Sequence, residues 1–294
     1  MDYFGKYGYT PSVEKVNELL DKIPALAEVL STPEVYKKCF SFMDLTSLHT
    51  NDTVDSVKKL VEKANGLKEA FPSYPLPASV CVYPNLGHVV KETRNTPELH
   101  VTTVAGCFPS SQSFLEVKVR ECVLAVQGGA DEVDIVLALN AFRAGDFEAA
   151  SNEIRQIRQA IDAEGAGRKI VLKVILETGL LLSAEAIANA SFLAMEAGAD
   201  FIKTSTGKVE VNATPTAAVI MCECIKAFYN KTGRKVGFKA AGGISSAKDA
   251  LVYYCIVHAI LGQDWLNKDG FRFGVSRLGN SLIEAIEQET VKYF

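Results

Sequence analysis

Histidine is scarce in this chain of 294 residues: four occur, and no two stand at a metal-binding spacing such as H-x-x-x-H. His49, His88, His100 and His258 therefore read as ordinary surface or core residues, and no metal is expected. No G-x-S-x-G turn is present, so a serine hydrolase lacks its nucleophile elbow. Basic runs stop at the pairs Lys37-Lys38 and Lys58-Lys59, and the net charge is −4, which argues against a nucleic-acid surface. No apolar stretch reaches the roughly 18 residues that a membrane helix needs. The first residues, MDYFGKYGYT, lack the basic start and apolar stretch of a signal peptide. Cysteine is not scarce, but its count of seven is odd and its positions are scattered, so reduced thiols and a cytoplasmic location are expected. Cys222 and Cys224, two apart on a helical stretch, face different sides and make no metal pair.

The composition, 48% hydrophobic and 22% charged, is that of a globular enzyme with a large core. From residue 39 onward, short β-type runs alternate with amphipathic helical stretches. The strand candidates are CFSFMDL (39–45), SVCVYP (79–84), HVTTVAG (100–106), DEVDIVL (131–137), IVLKVIL (170–176), FIKTS (201–205), VGFKAAG (236–242) and FRFGVS (271–276). Most are near-continuous apolar runs, as parallel strands covered on both faces should be. Between them, Ile154, Ile157 and Ile161 follow helical spacing, as do Ile187, Ser191 and Ala194. Ser246 and Asp249 read as a capping box opening a helix to Leu261, with Gly262 at its C-cap. Eight such units argue for a (β/α)8 TIM barrel over a doubly wound open sheet. Residues 1–38 predict a helical extension, with Val13, Val16, Leu19, Leu20 and Ile23 on one face and a stop near Pro24, placed across the barrel bottom. No linker composition marks a boundary, so 1–294 is expected to be one domain, with 39–294 as the barrel.

Three lysines sit inside apolar runs: Lys173 in IVLKVIL, Lys203 in ADFIKTSTGK and Lys239 in VGFKAAGG. Alone, each could be a strand-end residue reaching for water. Three at corresponding points of successive strands argue for a shared interior. Strand alternation puts Lys203 with Phe201 and Ser205, Lys239 with Gly237, Asp134 with Glu132 and Val136, and Lys173 with Val171 and Ile175. Burial and a second ammonium both disfavour a lysine's charge, and a neutral lysine attacks carbonyl carbon. The pattern predicts a Schiff-base enzyme, with Asp134 moving protons. Asp44, ending the first strand, is either a salt-bridge partner for an interior lysine or a helix cap.

The segments Ser205-Thr206-Gly207-Lys208, Ala241-Gly242-Gly243-Ile244-Ser245 and Gly274-Val275-Ser276-Arg277 predict an anion site. Two of them follow the seventh and eighth strands, where barrels bind phosphate through backbone N–H groups. Lys208 and Arg277 would add charge. STGKVE is not a nucleotide P-loop, because neither Ser nor Thr follows Lys208 and no glycine precedes Gly207 in the segment.

ADEVDIV, FIKTSTGK, NATPTA, GFKAAGG and FRFGVS together resemble the signature segments of the deoxyribose-phosphate aldolases, a family of class I aldolases. The resemblance runs from MDLTSL at Asp44, through VCVYP at Cys81, to about Ile283. It implies reversible cleavage of 2-deoxy-D-ribose 5-phosphate to D-glyceraldehyde 3-phosphate and acetaldehyde, in deoxyribonucleotide catabolism, with no cofactor and with a homodimer as one family state. By the same resemblance Lys203 forms the imine, Lys239 keeps it neutral, and Asp134 shuttles protons with a water. Asp44 stands near the second lysine, and Lys173 is a nearby lysine that forms no imine. The substrate-binding set comprises Asp44, Thr46, Cys81, Lys173, Thr206, Gly207, Lys208, Gly242, Gly243, Gly274, Ser276 and Arg277. The chain departs from the family at Ala240, often proline there, at Ser245, often arginine, and at Arg277, often a hydroxyl residue. Some members use a C-terminal tyrosine; here Tyr293 is followed by Phe294. A Schiff-base aldolase for another phosphorylated sugar and a silent phosphosugar-binding barrel are the alternatives.

Overall fold

The computed structural model describes residues 2–294. The chain opens with four short helices: α1 (Tyr3–Tyr7), α2 (Val13–Leu20), α3 (Ile23–Leu30) and α4 (Pro33–Ser41). Pro24 does not merely stop the second helix; it sits in the first turn of the third, where its missing N–H costs nothing. Tyr7 stacks on Phe192 with ring centroids 4.6 Å apart and tilts against Phe228, while its hydroxyl donates to Glu196. The first three helices thus lie along the barrel's flank rather than across its bottom, because their apolar stripes find partners among the outer helices. Helix α4 borders the face where the strands begin.

Eight parallel strands then close into a barrel in sequence order. They are β1 (Met43–Thr46), β2 (Ser79–Val82), β3 (His100–Val104), β4 (Glu132–Val136), β5 (Val171–Ile175), β6 (Phe201–Lys203), β7 (Gly237–Ala241) and β8 (Phe271–Val275). Each is shorter than its apolar run. The largest difference is at the first: Cys39–Ser41 end α4 instead of opening the strand, with Cys39 and Phe40 buried from a helix. The outer layer comprises α5 (Val54–Asn65), α6 (Leu67–Ala70), α7 (Gly87–Thr93), α8 (Leu115–Gln127), α9 (Leu139–Arg143), α10 (Phe147–Gly165), α11 (Ala184–Glu196), α12 (Pro215–Thr232), α13 (Ala247–Leu261) and α14 (Leu278–Glu287).

The helical spacings seen in the sequence bury as expected. Ile154, Ile157 and Ile161 face inward from α10, and Ile187, Ser191 and Ala194 from α11. Ser246 and Asp249 form both bonds of a capping box at the start of α13. Strand residues of the opposite parity, such as Ile202 and Phe238, feed the layer between strands and helices. Gly237 is glycine for a packing reason, since a side chain there would run into the Phe201 ring beneath the site. The C-terminal tail is fastened to the outside. Asn280 accepts the backbone N–H groups of Tyr293 and Phe294, the Tyr293 hydroxyl donates to the Lys63 carbonyl at 2.7 Å, and Phe294 packs on Phe40. Tyr293 therefore points away from the barrel mouth.

Candidate active site

Strand register brings the interior lysines together. Asp134 pairs with Lys173 across β4 and β5, and Lys203 with Lys239 across β6 and β7. All four side chains point into the barrel, as alternation requires. Asp134 is the hub: its Oδ1 accepts from Lys173 Nζ at 2.9 Å, and its Oδ2 from Lys203 at 2.8 Å and Lys239 at 2.9 Å.

Below this hub lies a second layer of charge. Asp44 accepts from Lys239 and from Arg272 Nη1, and Ser79 donates to it at 2.7 Å. Asp44 is therefore the salt-bridge partner rather than a helix cap; Thr53 caps the following helix. Arg272 Nη2 also reaches Glu132 at 2.8 Å, and Glu132 pairs with Lys173. Glu132 and Arg272 were not singled out from sequence. Yet parity in FRFGVS puts Arg272 on the same side as Gly274 and Ser276, and a charged residue between two buried phenylalanines was the available signal.

Counting charges sets one of the three lysines apart. Asp44, Glu132 and Asp134 are three buried carboxylates, facing four buried cationic groups in Lys173, Lys203, Lys239 and Arg272. An unbalanced buried charge is costly, so one cation is disposed to lose its proton. Lys173 has three acidic partners, Lys239 and Arg272 two each, and Lys203 only Asp134. Burial pushes the Lys203 pKa down; Asp134 pulls it back and Lys239 pushes it down again, leaving it below the ordinary lysine value. Burial acts likewise on Lys173 and Lys239, but Asp134 with Glu132, and Asp134 with Asp44, outweigh it and hold both above the ordinary value. Burial raises Asp134, yet Lys173, Lys203 and Lys239 bring it well below the carboxylate range. The crowding amine expected from sequence is thus present, but burial contributes more than it does.

Lys203 is also where the interior meets solvent. It lines a cavity of about 230 Å³ at the C-terminal ends of the strands, whose wall includes Thr46, Thr206, Gly207, Lys208, Gly242, Gly243, Gly274, Ser276 and Arg277. Asp44, Cys81 and Lys173 are fully buried beneath that cavity and do not line it. Gly242 and Gly243 both take positive φ, 85° and 81°, which lets the backbone turn sharply along the wall. The helix that follows Arg277, α14, has no side chain capping its N-terminus, so its first N–H groups stay free beside Ser276 and Arg277.

A third residue not singled out from sequence supports the wall at Thr206. Glu177, just after β5, is buried at left-handed φ 55°, and its carboxylate accepts from the Thr206 N–H at 3.1 Å and the Thr206 hydroxyl at 2.5 Å. Thr206 Oγ1 in turn accepts from the Lys208 N–H, and Lys208 Nζ donates to the Leu48 carbonyl. Nothing in the isolated motif ETGL signals this bond. Among the described residues, no group of three or more metal-ligating side chains occurs.

Residues 39–263 match the family profile described as DeoC/LacD family aldolase. The chain belongs to this aldolase family. The aldolase is 41% identical over 251 residues to the human deoxyribose-phosphate aldolase, with 82% of this chain and 77% of that protein covered. The Bos taurus deoxyribose-phosphate aldolase is 40% identical over the same length, with the same shares covered. Its fold matches the solved structure of the Aeropyrum pernix deoxyribose phosphate aldolase, described as tetrameric, with a TM-score of 0.67 at 24% identity, covering 93% of this chain and 98% of that one. The buried lysine cluster and the walled cavity thus belong to an enzyme that makes or breaks carbon–carbon bonds. Among the described residues, no helix is long and apolar enough to cross a membrane.

Proposed function

We propose that the aldolase reversibly cleaves 2-deoxy-D-ribose 5-phosphate to D-glyceraldehyde 3-phosphate and acetaldehyde through an imine on Lys203. The observation that carries this reading is the position of Lys203: alone among the three lysines it lines the cavity, and alone its pKa is lowered. The neutral amine adds to the C1 aldehyde of the open-chain sugar and water is lost. The protonated imine then accepts the electrons of the C2–C3 bond as it breaks, leaving an enamine on Lys203. The C3 hydroxyl becomes the aldehyde of glyceraldehyde 3-phosphate, and its proton leaves through a water to Asp134. That proton goes on to C2 of the enamine. Hydrolysis of the resulting imine releases acetaldehyde and restores the amine.

The 5-phosphate would sit against Gly207, Gly242, Gly243, Gly274 and Ser276, with Arg277 and Lys208 as its charged flanks. Thr46 lies on the same wall, and Asp44, Cys81 and Lys173 support the site from beneath. Arg277 replaces the guanidinium that the family often carries where this chain has Ser245. All seven cysteines are free, which fits a reducing compartment such as the cytoplasm. Self-association into a homo-oligomer completes this reading.

Borohydride reduction in the presence of deoxyribose phosphate, followed by peptide mass mapping, tests the assignment. The expected result is an acetaldehyde-derived adduct on Lys203 that is absent from Lys203→Leu. An adduct on Lys173 or Lys239 would overturn it, and turnover without any adduct would exclude the imine.

A further inference from the structure

The face where the strands begin carries a cavity that the aldolase chemistry does not use. It has a volume of about 700 Å³ and is bounded by the segments leading into β1, β2, β3 and β8. In barrels of this kind the chemistry belongs to the opposite face, so nothing in the reaction calls for charge here. Yet four ammonium groups, Lys37, Lys38, Lys68 and Lys268, line it against a single carboxylate, Glu98. This occurs in a chain with a net charge of −4, where an excess of cations in one place is not a by-product of composition.

Lys37 is held by the Ser73 hydroxyl and lies 5.1 Å from the centre of the Tyr74 ring. Among the described residues, Lys38, Lys68 and Lys268 have no acidic partner within salt-bridge distance. Glu287, beside Tyr74, is engaged by the Tyr74 hydroxyl. The cavity is also built on fixed backbone. Pro72, Pro75 and Pro77 stiffen one rim. On the other, buried Arg272 donates to the Lys268 carbonyl while Asp44 and Glu132 hold its far end, so the loop bearing Lys268 is anchored from inside the barrel. Cations carried on a fixed backbone require less chain ordering when an anion binds.

We propose that this cavity is a second anion site, distinct from the one beside Lys203, that takes a small polyanion of the polyphosphate class. Its volume falls within the range of small-molecule sites, about 300–1,000 Å³. Its two aromatic rings, Phe42 and Tyr74, are both buried, and the Tyr74 hydroxyl is occupied, so neither offers an open face for a nucleobase to stack on and an aliphatic polyanion suits the cavity better than a nucleic acid.

Tripolyphosphate titrated calorimetrically into three proteins tests the site. In the unaltered chain we expect binding that weakens with salt. Arg277→Ala, which removes charge from the catalytic cavity, should keep one binding equivalent. Lys38→Ala/Lys68→Ala/Lys268→Ala should lose that equivalent or bind roughly tenfold or more weakly, with basal cleavage unchanged because none of these side chains enters the catalytic cavity. Lys68→Glu, a single exposed change, should act in the same direction. Loss of all tripolyphosphate binding in Arg277→Ala would overturn the proposal, as would a lysine triple variant that titrates like the unaltered chain.

Discussion

Replacing Lys239 with methionine isolates the charge balance of the interior. The side chain keeps a similar length and apolar character, but one of four cations disappears. Asp44 retains Arg272 and Lys173, and Asp134 retains Lys173 and Lys203, so no carboxylate is stranded. Three cations then face three carboxylates, and Lys203 loses a reason to shed its proton. The Lys203 and Lys239 nitrogens lie 2.8 and 2.9 Å from the same Asp134 Oδ2, so they can be no more than about 5.7 Å apart. Two unit charges at that separation repel by about 3 kcal/mol at an effective dielectric of about 20. Removing that repulsion raises the proton affinity of Lys203 and lowers its neutral fraction near pH 7 roughly a hundredfold. Cleavage should fall by about that factor at neutral pH and recover as the pH rises. The assay is kcat/KM against pH for both proteins, with borohydride trapping of Lys203 in parallel. If the variant loses the same factor at every pH, with the acid limb of its profile unmoved, Lys239 does not act by repelling that proton and the reasoning fails.

Arg277→Ala should raise KM for the phosphorylated sugar ten- to a hundredfold, the worth of a charged hydrogen bond of about 1.5–3 kcal/mol, and leave cleavage of unphosphorylated deoxyribose nearly unchanged; equal Michaelis constants would remove Arg277 from the phosphate site. Glu177→Ala deprives Thr206 of both bonds it donates, so thermal unfolding should show a loss of about 1–3 kcal/mol, together with a raised KM as the Thr206–Lys208 wall loosens; a wild-type KM would show that the wall holds without it. Acid should unfold the protein in a predictable direction. The folded-state pKa values of Asp44, Glu132 and Asp134 are depressed, so their stabilisation is present above the unfolded carboxylate value of about 4 and is lost as the pH falls below it. Fluorescence of Trp265, the single tryptophan, should report that loss, and stability that is flat from pH 6 to about 2 would contradict it.

Most of the barrel was legible because parallel strands buried on both faces must be apolar throughout, and runs such as IVLKVIL announce themselves. Lysines breaking such runs were legible for the same reason. The start of β1 was not: Cys39, Phe40 and Ser41 suit a helix end as well as a strand, and only their contacts decide. Asp44 stayed open between two roles until Lys239 and Arg272 were seen beside it. Arg272 and Glu132 escaped notice because their importance lies in pairing across the barrel, between strands distant in sequence. Glu177 was hidden further, since its role rests on a left-handed backbone and on a partner 29 residues away. Pro24 was legible as a helix boundary but not as the opening of the next helix.

The helices between Tyr3 and Leu30 cover one flank of the barrel. By laying Tyr3 and Tyr7 over Phe192, and Tyr7 beside Phe228, the chain spends one flank of its barrel on itself. A shortened chain beginning near Pro33 would lay those aromatic rings bare and turn a sealed flank into an adhesive one.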